Sequence, residues 1–130
     1  MPVHHNMLGQ LPSETERILF PIANQTLGAT ASSVYENVLN PGAEAPLHQH
    51  PIEEVIVCIA GTGECSINGA AWQRYEAGSV LIIPANTPHR LRNTGPGHLR
   101  QLAFFAATTN ETVWLEAKGS LSEAGSSSAA

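Results

Sequence analysis

The stretch "PLHQHPIEEVIVCIAG", residues 46–61, places two histidines and two adjacent glutamates directly in front of an apolar run. Residues two apart on a strand point to one face, so His48 and His50 present both imidazoles to one side while Leu47 and Gln49 face the other. Such a pair is a preformed bidentate metal grip. Pro51 then interrupts the ladder, and a new strand opens at Glu53-Glu54, whose side chains must point to opposite faces. Only one of these two glutamates can join the histidines. The competing reading is a strand mouth made polar for solubility.

The elements that would carry these residues are short strands. From Ser32 to Ala107, runs rich in Val, Ile, Leu and aromatics alternate with clusters of Gly, Pro and Asn. Strands are expected near Ser32–Leu39, Leu47–His50, Glu54–Ala60, Glu64–Ile67, Ala71–Tyr75, Ser79–Ile83, His89–Asn93, Leu99–Ala107 and Thr112–Glu116. Asn68-Gly69 is the clearest turn, because both residues tolerate positive φ and the primed turn matches strand twist. So many short strands need two facing sheets or a closed barrel to hide their edges. The expected fold class is therefore all-β, an antiparallel sandwich or barrel spanning residues 32–117. Residues 1–31 are expected to add one or two outer strands, near Arg17–Ile22 and Gly28–Ser32. The tail, residues 118–130, lacks apolar anchors and is expected to be disordered.

The chain has 130 residues, enough for one domain with a real core. Its formal charge is −5 with six Lys plus Arg, a surface that repels a phosphate backbone, so nucleic acid is not an expected partner. No window approaches the apolar run of about 18 residues needed to cross a bilayer, so no membrane is expected. The N-terminal stretch has neither a basic start nor a sustained apolar centre, which points to the cytoplasm. Cys58 and Cys65 lack CxxC spacing and are expected to be reduced and partly buried.

Two spaced motifs resemble those of the cupin superfamily. The first is Gly42, five residues, His48-x-His50, three residues, Glu54, six residues, Gly61. The second is Gly78, five residues, Pro84-x-Asn86, two residues, His89, three residues, Asn93. Asn86 stands where the family usually has Gly, and Asn is the next most tolerant residue of positive φ. The resemblance implies a double-stranded β-helix, or jelly-roll barrel, that holds a metal through His48, His50, Glu54 and His89. Three imidazoles and a carboxylate suit one divalent transition metal per chain (Fe, Mn, Ni, Co or Zn) better than Mg or Ca. Four ligands in an octahedron would leave about two positions for substrate, water or dioxygen.

Around that set, Ile56 and Cys58 share the face of Glu54, and Leu91 that of His89, so each could line the pocket; for Cys58 the competing reading is a small buried hydrophobe. Asn93 would shape the turn that follows it. In "LRQLAFFAA" either Gln101 with Ala103 and Phe105, or Arg100 with Leu102 and Phe104, faces inward, and Gln101 is a candidate donor to substrate. Arg90 and Arg92 alternate with His89 and should lie outside, in a salt bridge or a subunit interface. His4, His5 and His98 are taken as non-ligands.

The resemblance implies three functional readings. The first is a metal-dependent enzyme acting on a small anionic or enol-type substrate, a dioxygenase above other reactions, with Glu54 as ligand and, on loosening, as base. The others are a non-catalytic metal or small-ligand sensor, and a sugar isomerase or epimerase, which typically lacks the full ligand set. Outward-facing Val55, Val57 and Ile59 leave an apolar sheet to cover, which predicts a homodimer packed sheet to sheet.

Overall fold

The computed structural model describes residues 2–9, 17–117 and 122–123. Strands follow one another as β1 (Arg17–Ala23), β2 (Ser33–Leu39), β3 (Glu44–Gln49), β4 (Glu54–Ala60), β5 (Thr62–Ile67), β6 (Gln73–Glu76), β7 (Val80–Ile83), β8 (His89–Asn93), β9 (Leu99–Phe105), β10 (Val113–Trp114) and β11 (Ser122–Glu123). They form two sheets, one of six strands in the order β11-β1-β2-β9-β4-β7 and one of five in the order β10-β3-β8-β5-β6. Among the described residues there is no helix, hence none long and apolar enough to cross a membrane. Every pairing is antiparallel except the short contact of β11 with β1. The fold is the all-β double-stranded β-helix that the two motifs implied.

Strand alternation builds the core. Leu19, Tyr35, Leu39, Ile56, Leu81, Ile83, Leu99 and Phe105 point inward from the larger sheet and meet Ala45, Cys65, Tyr75 and Leu91 from the smaller. Each large apolar side chain removed from water here contributes roughly 1.5–3 kcal/mol. On β9 the inward set is Leu99, Gln101, Ala103 and Phe105, while Arg100, Leu102 and Phe104 face out. Both cysteines are free and buried, and burial pushes both thiols up.

The turns follow residue chemistry. Asn68 and Gly69 both have positive φ, and Ala70 N donates to Ile67 O at 3.1 Å, closing the β5–β6 turn. Asn86 has φ 56°, so the turn before His89 is kept without a glycine. Asn93 donates to Leu39 O and Gly97 O and accepts from Gly95 N, fastening the β8–β9 connection. The strand expected at Gly28–Ser32 is absent. Asn24 instead organises a tight turn, accepting from Leu27 N and Ala29 N, and Gly28 stands at φ 102°; an Asx-capped turn replaces extended backbone. Of the expected tail, Ser122–Glu123 pairs with Ile18–Leu19, and its other residues from 118 onward lie outside the described residues.

Gly61, between β4 and β5, has φ 91°, and a Cβ there would stand 2.5 Å from His98 O and 2.9 Å from Leu99 Cα. Both obstacles are backbone and cannot rotate aside. Gly61→Ala is expected to destabilise the protein by about 2 kcal/mol or more, read as a lower denaturant midpoint at unchanged slope; an unchanged midpoint would contradict the close approach.

Candidate metal centre

Three strands from both sheets deliver the polar cluster. β3 and its end carry His48 and His50, β8 opens with His89, and β4 opens with Glu54. His48 lies directly across the ladder from His89. All four are buried. One potential ligand atom from each of His48, His50 and His89 lies within 4.8 Å of the other two. Glu54 Oε1 stands 3.2 Å from His89 Nε2 and 3.5 Å from His50 Nε2. Glu53 is exposed, on the opposite face.

Backbone carbonyls set the imidazole tautomers. Nδ1 of His48 lies 2.6 Å from Pro46 O, Nδ1 of His50 2.9 Å from Glu111 O, and Nδ1 of His89 2.9 Å from Thr87 O. A carbonyl only accepts, so each Nδ1 carries the proton and each Nε2 keeps a lone pair. Asn110 Nδ2 lies 3.0 Å from His50 Nδ1 while its Oδ1 is buried without a partner; turning the carboxamide by 180° would present that oxygen to the N–H as a second acceptor. Aromatic rings fix the planes. His48 lies against Trp114 at 4.9 Å between centroids and His50 against Phe105 at 5.2 Å.

The electrostatics favour neutral imidazoles. Burial, reinforced by His89, lowers His48 to about 2. Burial also lowers His50, outweighing the opposing pull of Glu54. With Nδ1 as donor, His89 Nε2 and Glu54 Oε1 face each other as two acceptors, and both are buried without a hydrogen bond. Two acceptors at 3.2 Å repel unless a cation lies between them. Three nitrogen lone pairs and a carboxylate oxygen are also the donor set that first-row transition metals prefer. On both counts the residues fit a metal ion.

The adjoining cavity is about 10 Å³ and is lined by His48, His50, Glu54, Leu91, Leu19, Ala45, Ala103, Arg17 and Asn37. Leu91 thus stands on the wall, whereas Ile56, Cys58 and Gln101 are buried in the surrounding interior. Gln101 accepts a 2.9 Å hydrogen bond from the Tyr75 hydroxyl. Arg90 and Arg92 face outward, paired with Glu116 at 2.9 Å and Glu64 at 2.7 Å. Sequence reasoning missed Arg17, Asn37, Asn110 and Trp114. For Arg17 a faint signal existed, because alternation along β1 puts it on the face of Leu19.

A family model described as a cupin domain matches residues 36–105, more than half of the chain. The chain belongs to the cupin family. This cupin is similar to "Polyketide synthase CurC" of Streptomyces cyaneus, 31% identical over 78 residues that cover 59% of this chain and 50% of that protein. It spans about half the length of the curated relatives it matches. Among solved structures, a Klebsiella pneumoniae protein with a double-stranded β-helix domain superposes with a TM-score of 0.71 at 22% identity, covering 82% of this chain and 90% of that one. Oxalate decarboxylase of Lactobacillus farciminis, solved as a formate complex, superposes with a TM-score of 0.69 at 24% identity, covering 75% and 30%. These two likenesses concern the fold.

The lowered histidines give the metal-free protein a pH signature. Free histidine titrates near 6.5, so as pH falls below about 6.5 the unfolded chain gains protons that His48 and His50 refuse in the fold. Stability is therefore expected to decline from pH 7 toward pH 5, before most carboxylates titrate. Denaturant midpoints followed by circular dichroism check this; a flat profile over that window is the contrary result.

Proposed function

We propose that this cupin is a metal-dependent enzyme acting on a small anionic or enol-type substrate, with dioxygen-dependent oxidation as the reaction. The observation that carries the reading is the cluster of His48, His50 and His89, with Glu54 Oε1 within 3.5 Å of two of them, each imidazole being held in its tautomer by a backbone carbonyl. In this reading His48, His50, His89 and Glu54 hold one Fe, Mn, Ni, Co or Zn ion, which supplies Lewis acidity and, if redox-active, electron transfer. The protein's own part is to hold the imidazoles neutral and oriented, to keep bulk water out of the cavity, and to offer the Glu54 carboxylate as a base. A polyketide-related relative and a decarboxylase solved with formate support enolisable or carboxylate substrates, since polyketide chains enolise readily and formate is a small anion.

The cavity of about 10 Å³ favours a second reading, a cupin that stores or senses a metal without turnover, because so small a space admits one water-sized group. The two are separated by experiment. Protein purified without chelators is expected to carry about one transition metal per chain by elemental analysis, lost in His48→Ala and His89→Ala variants that remain folded. Oxygen uptake with a panel of enolisable and hydroxy-carboxylate compounds, abolished in His89→Ala, supports the enzyme. Stoichiometric metal with no uptake across the panel would favour storage or sensing, and no metal uptake would sink both.

We also infer a homodimer in a cytoplasmic setting, the latter in keeping with two free thiols. Val55, Val57 and Ile59 are half-buried on the outer face of the six-stranded sheet, beside the exposed Val80, Ile82 and Phe104. Covering this apolar face by a second copy removes it from water symmetrically. Light scattering at micromolar concentration is expected to give twice the chain mass, falling to one chain in Ile82→Glu. A monomeric wild type would refute the inference.

A further inference from the structure

Asn37 and Gln101 leave complementary polar atoms unpaired inside the barrel. One row of inward side chains crosses the larger sheet as Leu19, Asn37, Gln101 and Cys58, each directly opposite the next on a neighbouring strand. Asn37 is 8% exposed and lines the cavity shared by His48, His50 and Glu54, while Gln101, one strand further on, is wholly buried. The Tyr75 hydroxyl donates to Gln101 Oε1 at 2.9 Å, which leaves Nε2 as a buried donor without a hydrogen bond. Asn37 Oδ1 is a buried acceptor without one. Opposite residues of an antiparallel pair hold their Cβ atoms about 5 Å apart, yet these two atoms do not bond to each other. The ends of the row offer them nothing, because Leu19 is apolar and the Cys58 thiol donates to Ala60 O at 3.6 Å.

We propose that Asn37 and Gln101 form a hydroxyl bracket beside the metal centre, a specificity-determining pair that selects small substrates carrying an alcohol or enol O–H. The proposal deepens the enzymatic reading above and rests on it for the site's purpose. A hydroxyl donates one hydrogen bond and accepts others, so a single O–H between the two carboxamides satisfies Asn37 Oδ1 and Gln101 Nε2 together. A methyl group there serves neither. A carboxylate oxygen accepts from Gln101 but repels Asn37 Oδ1. Leaving buried polar groups unpaired is how a site rejects an analogue that lacks one hydroxyl, and it does so more strongly than an apolar pocket rejects an extra methylene. Tyr75 gives the bracket its sense, since by occupying Oε1 it commits Nε2 to the donor role. Two interior carboxamides with spare atoms are a cost to a barrel core, where apolar side chains would pack without one. The cavity of about 10 Å³ at Asn37 admits one water-sized group, the size of the hydroxyl itself, so the remainder of a substrate is accommodated as the cavity opens.

The test compares glycolate with acetate, which differ by one hydroxyl, in calorimetric titrations of zinc-loaded and metal-free protein. The readout is the ratio of the two affinities, since acetate makes no use of the bracket and any direct contact of the hydroxyl with zinc is common to wild type and variants. Asn37→Leu, nearly isosteric and apolar, is expected to lower the preference for glycolate about fivefold, the worth of one neutral hydrogen bond, while acetate affinity and zinc stoichiometry stay unchanged. Gln101→Met removes the donor and is expected to lower the preference by a similar factor. Asn37→Leu leaves the bond between Tyr75 and Gln101 intact, and it serves alone if Gln101→Met does not fold. The same preference in wild type and variants would mean that the carboxamides enclose only a resident water, and it would overturn the bracket, as would the absence of glycolate binding by wild type in both forms. Failure of wild type to take up zinc or other transition metals would instead remove the metal-dependent enzyme, and an Asn37-dependent preference for glycolate in the metal-free protein would then sustain the bracket without it.

Discussion

Three imidazoles and a carboxylate can share the interior of a small β-barrel only if their protons are placed where they do no harm. The backbone does this. Pro46, Glu111 and Thr87 each offer a carbonyl to one Nδ1, so no ring needs a second proton, and the Nε2 lone pairs of His50 and His89 turn toward Glu54. Remove those carbonyls and each ring is free to change tautomer or rotate, and the cluster loses its common focus. Burial completes the arrangement, because it disfavours the imidazolium of both His48 and His50 and at His50 outweighs the opposing pull of Glu54. The remaining tension, two buried acceptors 3.2 Å apart at His89 and Glu54, is one that a cation between them would relieve.

The rest of the fold can be understood as what keeps those carbonyls in place. Pro46 and Thr87 each lie two residues before the histidine they serve, so local strand and turn geometry suffices. Asn86 at φ 56° holds the turn that brings Thr87 to His89. His50 is different. Its acceptor belongs to the segment that returns after β9, and that segment is anchored by the β10 ladder, by Leu115 N donating to Leu47 O at 2.9 Å, and by Glu116 accepting from Leu47 N and from Arg90. The same strand lays Trp114 on His48. The orientation of His50 and the closure of the cavity therefore depend on one stretch of chain.

Much of the polar cluster was legible from spacing. His48-x-His50 and Glu54 lie within seven residues, where a two-residue period decides which side chains share a face, and the second motif added His89. The outward placement of Arg90, Arg92 and Glu53 followed from the same alternation. Where alternation was ambiguous, so was the sequence. On β9 one face reads Gln, Ala and Phe and the other Arg, Leu and Phe, and neither is plainly the core; the pairing of β9 between β2 and β4 settled it, burying Gln101, Ala103 and Phe105. The turn at Asn24–Gly28 was mistaken in part for a strand because its determinant is a side-chain cap rather than a pattern.

By itself the sequence determined an all-β sandwich or barrel and which local spacing presents imidazoles and a carboxylate to one side, while the resemblance of its two motifs added the cupin family. Those properties rest on short-range periodicity and turn chemistry, which any sufficiently long stretch of sequence carries within it. Only the tertiary structure decided that Arg17 and Asn37 face the histidines, that Glu111 and Asn110 hold His50, and that Trp114 closes over His48. These residues lie outside both motifs and meet them through strand pairing across two sheets. Register in such long-range ladders is fixed by the packing of the whole core, so no local pattern announces which distant residue will share the cavity.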